Sequence, residues 1–135
     1  MIVVDTNIIL HLHVTSDQTP LALRLLAKEP FWLSVPLWQS EFRNALSGYI
    51  RKGTITLLQA RLIMDEALQT MTGREVPVSS SRVLELAANS TCTAYDCEFV
   101  ALAQALGVQL VTNDKQVLKE FPGTAISLVD FAEGL

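Results

Sequence analysis

Short β-branched runs alternate with helical stretches along this chain, and that alternation limits it to a mainly parallel sheet covered on both faces. Ile2, Val3 and Val4 form the first run, apolar at consecutive positions as a strand buried on both sides requires. The spacing predicts a helix over 19–29 (TPLALRLLAKE), with Pro20 suited to its first turn, and then a strand over 31–35 (FWLSV). Pro36 opens a helix to about Lys52, which Gly53 suits as a stop. A second helix from about Thr56 to Met71 completes a helical hairpin. Val76 and Val78 around Pro77 predict a brief strand, and Ser80 or Ser81 caps a helix through residue 89. A helix over 94–106 ended by Gly107, a strand over 108–112 (VQLVT), a short helix over 114–121 and a last strand over 125–129 (AISLV) follow. The expected fold is α/β: a three-layer α/β/α sandwich, Rossmann-like, around a mainly parallel sheet of four to five strands, with 1–135 as one domain.

Composition narrows the functional classes. Half of the residues are hydrophobic and 18% are charged, which excludes a disordered chain, and the slight apolar surplus points to a buried interface. The N-terminus has no basic segment leading into a long apolar stretch, and no window approaches the roughly 20 apolar residues of a membrane span, so a cytoplasmic location without membrane attachment is expected. Cys92 and Cys97 are too few for a disulfide framework and lack the second pair of a zinc site; both read as reduced and structural. The net charge of −4 argues against a protein that coats nucleic acid with surface lysines. An acidic pocket loaded with a cation reverses that local electrostatics and attracts phosphate.

Four acids fall at informative places. Asp5 stands at the carboxyl end of the first strand, where open α/β sheets bind ligands. Asp114, in LVTND, occupies the corresponding place after the strand over 108–112. Glu41 lies at the edge of the apolar helical face formed by Trp38, Phe42, Ala45, Leu46 and Tyr49, whereas a merely solvated glutamate would sit opposite. Asp96, in TAYDCEF, falls in the first turns of a helix otherwise apolar at Phe99, Val100, Leu102, Ala103 and Leu106. Each has an ordinary explanation as a cap or a dipole partner, worth about 0.5–1 kcal/mol to a helix. Their conjunction at one sheet edge would be costly without a cation, and oxygen ligands alone suit Mg²⁺ or Mn²⁺ rather than zinc.

VVDTN at the start, Glu41 after SVPLWQSEF, AYDCEFVALAQALG and LVTND together resemble the PIN-domain ribonucleases, with the size of the VapC-type toxins of toxin–antitoxin modules. The resemblance covers essentially the whole chain. It implies a PIN-like fold in which Asp5, Glu41, Asp96 and Asp114 form the acidic quartet that binds a divalent metal and catalyses the reaction. Thr112 matches the hydroxyl residue before the last acid, and Thr6 and Asn7 the polar residues after the first. Cys97 departs from the small alanine common after the third acid. The activity implied is Mg²⁺- or Mn²⁺-dependent hydrolysis of RNA phosphodiester bonds that leaves a 5′-phosphate, with Asp5, Asp96 and Asp114 as principal ligands and Glu41 as ligand or water-orienter. The partners implied are an RNA substrate, a second copy of the chain and a small antitoxin that lays a helix across the groove.

Other features weigh less. Glu98 should point to a different side of its helix from Asp96, as an outer or solvated group. His11 and His13 would face each other only on a strand, whereas this stretch follows the expected site as helix or loop. Arg43, Arg51, Lys52, Arg82 and Lys115 are candidate contacts for the RNA backbone. Leu57, Leu58, Leu62, Ile63, Met64, Leu68 and Met71 spread over a wider arc than one core-facing stripe needs, which suits either a thick core or a partner. A haloacid-dehalogenase-type phosphatase needs a second acid where Asn7 stands, and a response-regulator receiver needs paired acids and a late lysine; neither accounts for Glu41 and Asp96. A degenerate PIN domain kept as a binding module stays open beside the nuclease.

Overall fold

The computed structural model describes residues 1–134; Leu135, the last residue of the expected domain, lies outside the described residues. Ile2–Val4 forms β1, buried at every position. Its partners are β2 (Trp32–Leu33), β3 (Leu110–Val111) and β4 (Ala125–Ile126), in the sheet order β2-β1-β3-β4 with every pairing parallel. The register sets Ile2 opposite Trp32, Val3 opposite Leu33 and Leu110, and Val4 opposite Val111. β1 lies inside the sheet with helices covering both faces, so its residues are apolar in succession rather than alternately.

The helices are α1 (Thr6–His13), α2 (Thr19–Lys28), α3 (Leu37–Arg51), α4 (Leu57–Thr70), α5 (Ser80–Ala88), α6 (Ala94–Leu106), α7 (Lys115–Glu120) and α8 (Leu128–Ala132). One group, α1 to α4 with α8 against α2, packs together; α5 packs on α6, and α6 on β1 and β3. The result is a four-stranded α/β/α sandwich. Trp38 and Phe42, both fully buried on α3, meet edge to face with centroids 5.5 Å apart. Cys92 and Cys97 are free and buried; burial and the neighbouring Glu120 carboxylate push the Cys92 thiol up to about 12, so it stays an inert thiol.

The stretch after β1, expected as helix or loop, is helix α1, the strands expected over 31–35 and 108–112 shorten to Trp32–Leu33 and Leu110–Val111, and two further expected strands differ for a local reason. The run over 125–129 is a strand only at Ala125–Ile126, because Ser127 accepts a hydrogen bond from the Asp130 N–H and starts α8, while Asn113 Oδ1 accepts from the Leu128 N–H. No strand forms at Val76–Val78. A single parallel bridge joins Glu75 to Ser34, with the Val76 N–H donating to the Ser34 carbonyl, and Pro77 has no N–H to carry a ladder onward.

The sheet order reverses direction at β1. The chain runs from β1 outward to β2 and returns on the other side as β3, so the crevice above the carboxyl ends of β1 and β3 is the ligand position of an open α/β sheet. Ser127→Ala is expected to destabilise the protein by about 1 kcal/mol through loss of the α8 cap. Thermal melting checks this, and an unchanged Tm would mean that Ser127 does not hold the helix end.

Candidate active site

The carboxyl ends of β1 and β3 place Asp5 and Asp114. Asp5 caps α1, its Oδ1 accepting from the Thr6 N–H at 2.7 Å, while its Oδ2 accepts from the Thr112 hydroxyl at 2.7 Å. The same Thr112 oxygen accepts from the Asp114 N–H at 3.0 Å, so one fully buried hydroxyl ties the two strand ends together. Asp114 caps α7 through Oδ1, which takes the N–H groups of Gln116 and Val117. Helix α3 brings Glu41 from the side, and the buried Thr6 hydroxyl donates to its Oε1 at 2.7 Å. Helix α6 brings Asp96, whose N–H is capped by Thr93. Among the described residues the Asp96 carboxylate accepts no hydrogen bond, so the first turn of α6 makes no use of it beyond its charge.

All four acids line one cavity of about 500 Å³, together with Thr6, Asn7, Leu37, Ser40, Asn44, Ala45 and Tyr95. Among the described residues, no lysine, arginine or histidine lines it. Burial raises the Asp5 carboxyl from 3.8 to about 6 against the lowering effect of the Thr112 and Thr6 hydrogen bonds, and the charges of Glu41 and Asp96 push it the same way. Among the described residues, no three acidic, histidine or cysteine side chains are grouped closely enough to hold one ion as they stand. Like charges without a counter-charge keep apart, and a cation is what would draw them in. The donor set of four carboxylates with hydroxyl support is hard oxygen throughout and fits Mg²⁺ or Mn²⁺.

Other candidates fall outside the lining. Glu98 is partly buried, and burial together with the charge of Glu41 raises its carboxyl; it is an outer group rather than a wall of the cavity. His13 Nε2 meets the Thr70 hydroxyl at 2.9 Å and His11 Nδ1 meets Ser16 at 3.4 Å, both away from the acids. Arg43 bonds Ser40 at the cavity wall, whereas Arg82 is engaged by Glu85 and Gln104. The sequence reading missed Leu37, Ser40, Asn44 and Tyr95. A signal for the first three existed in the helical spacing 37, 40, 41, 44, which puts them on the Glu41 face; Tyr95 is the neighbour of Asp96.

The family model for the PIN domain matches residues 2–123, and the chain belongs to the PIN domain family. Ribonuclease VapC3 of Pyrobaculum aerophilum is 29% identical over 125 residues, which cover 90% of this chain and 95% of that protein. The crystal structure of PAE2754 from Pyrobaculum aerophilum superposes with a TM-score of 0.79 at 22% identity, covering 98% of this chain and 94% of that one; it is a likeness of fold.

The Asp5 shift has a testable sign. A carboxyl raised in the folded state contributes stability that is complete below pH 3.8 and is lost as pH climbs through about 6. In chelator-treated protein, Asp5→Asn is therefore expected to exceed the wild type in stability at pH 7.5 by about 3 kcal/mol, with the gain vanishing near pH 4. Denaturant unfolding at the two pH values checks this; a variant less stable at both would contradict the assigned strain.

Proposed function

We propose that this protein is a divalent-metal-dependent endoribonuclease, acting as one PIN-like domain over 1–135, and the toxin of a toxin–antitoxin pair. The observation that carries the reading is the convergence of Asp5, Glu41, Asp96 and Asp114 on one cavity whose lining holds no basic residue. Membership of the PIN family and the likeness to a protein named as a ribonuclease support it.

Asp5, Asp96 and Asp114 would hold Mg²⁺ or Mn²⁺, with Glu41 as a further ligand or as the group that orients water. Such an ion supplies a Lewis acid that lowers the pKa of water and offsets charge on a phosphate. The chain's own residues do the positioning. Thr112 fixes the Asp5 carboxylate, and Thr6 fixes Glu41 Oε1, leaving Oε2 free to orient the attacking water. Asp114 spends one oxygen on two backbone N–H groups, which sets the direction of the other. In the reaction, the water oxygen forms a new bond to phosphorus as the P–O3′ bond breaks. The 3′-oxygen takes a proton, and the products are a 3′-hydroxyl and a 5′-phosphate. No protein nucleophile is required. Arg43, which donates to the lining residue Ser40, is a candidate contact for the RNA backbone.

The partners proposed with this activity are a second copy of the chain and a small antitoxin. Leu57, Leu58 and Leu62 of α4 support an additional protein surface, being 52%, 65% and 56% exposed on one helix. Among the described residues no helix is long and apolar enough to cross a membrane, and a cytoplasmic site of action fits the proposal. The second reading is a degenerate domain that only binds.

Cleavage of RNA with and without Mn²⁺ tests the proposal. Asp5→Asn and Asp96→Asn are expected to abolish it, and Thr112→Val to lower it by roughly 10–100-fold, as for outer partners of metal ligands. Calorimetry is expected to show Mn²⁺ binding by the wild type and its loss in Asp96→Asn. A wild type with neither heat nor cleavage would leave the binding module in possession.

A further inference from the structure

We propose that Tyr95 is a stacking platform for an unpaired nucleobase next to the phosphate held in the cavity; the inference rests on the ribonuclease reading and adds the residue that grips the base. Three observations carry it. Tyr95 is 62% exposed, the most exposed aromatic side chain among the described residues. It lines the cavity of the four acids and directly precedes Asp96. Among the described residues it belongs neither to the core nor to the side chains packed against the core. Trp32, Trp38, Phe42 and Phe99 are buried in the core, and Tyr49, Phe121 and Phe131 pack against it. Phe31, the other exposed ring, is covered by the Arg74 guanidinium 4.2 Å from its centroid.

Helical spacing explains how the ring comes to stand there. Tyr95, Phe99 and Leu102 share a helical stripe by spacing, and Phe99 and Leu102 bury it in the core. At the first turn of α6 the stripe runs past the end of the core and meets the cavity instead. Across that space α3 presents Leu37 and Ala45, which are apolar, beside the Ser40 hydroxyl and the Asn44 amide. A phosphate could use the Ser40 and Asn44 donors but has no use for the apolar Leu37, Ala45 and ring faces. A nucleobase, with apolar faces and hydrogen-bonding edges, uses all of them, and unpaired bases are recognised by aromatic stacking with edge contacts. The exposed leucines of α4 are a separate surface, so the position of Tyr95 beside the acids favours RNA over a protein partner.

The test measures binding of the full chain, in Ca²⁺, to fluorescein-labelled hexaadenylate RNA and to an abasic ribose-phosphate strand of equal length. Tyr95→Ala is expected to raise Kd for hexaadenylate about tenfold, within the range of losing one base–aromatic stack. Tyr95→Phe should stay within about twofold of the wild type, and Tyr95→Trp should bind with quenching of its new indole fluorescence. The abasic strand should not distinguish any of the variants, and Mn²⁺ affinity and melting temperature should match the wild type in all three. Unchanged hexaadenylate affinity in Tyr95→Ala overturns the proposal, and so does an equal loss on the abasic strand, a loss in Tyr95→Phe as large as in Tyr95→Ala, or a wild type that binds no RNA. The two readings fail separately. Tyr95-dependent binding without cleavage in Mg²⁺ removes the nuclease and keeps the platform, whereas cleavage by Tyr95→Ala at unchanged KM removes the platform and keeps the nuclease.

Discussion

The parallel pairing of β1 with β3 is the contact on which both fold and site depend. Val3 opposite Leu110 and Val4 opposite Val111 bring Asp5 and Thr112 side by side at the next step, and the Asp5 N–H donates to the Val111 carbonyl at 3.1 Å. Side chains alternate between faces along a strand, so a slip of one residue would turn the Thr112 hydroxyl away from the Asp5 carboxylate. The same register delivers Asn113 to the start of α8 and Asp114 to the start of α7. Two helices and half of the acidic cavity are thus aligned by two backbone pairs.

Around that contact the molecule accepts an electrostatic cost. A carboxylate at a strand end, capping a helix, is ordinarily a favourable arrangement. Here burial outweighs two hydrogen bonds and raises Asp5 well above the usual aspartate range, with Glu41 and Asp96 adding to the effect. Sites that violate the rules of stable folding tend to be those that act on something, because the missing counter-charge is brought by the ligand. The hydroxyls of Thr6 and Thr112 fit this pattern: both are buried, and each donates to a carboxylate from a different part of the chain.

Much of this architecture was legible in the residues themselves. Ile2–Val4 announces an internal strand through three consecutive β-branched side chains, and α6 is delimited by Thr93 before it and Gly107 after it, the latter at φ +65° where a side chain would be strained. The last strand was misjudged because AISLV is apolar throughout, and a short apolar run does not tell strand from buried helix. The Ser127 cap starts the helix there, and the Leu128 N–H donates to Asn113 Oδ1, which is remote from that run in sequence. The four acids stood out as charges in apolar settings. Ser40, Asn44 and Tyr95 did not, since a polar or aromatic residue on a helix looks like ordinary surface until another element encloses the space in front of it.

The hydrogen bond from Thr112 to Asp5 joins residues 107 positions apart. Synthesis runs from the N-terminal side, so Asp5 is made well before the strand that holds its carboxylate in place. A product ending before residue 110 contains Asp5, Glu41 and Asp96 but neither Thr112 nor Asp114, so its acids have no frame. Assembly of the cavity therefore waits for the synthesis of β3, and fragments that stop short of it lack the constellation.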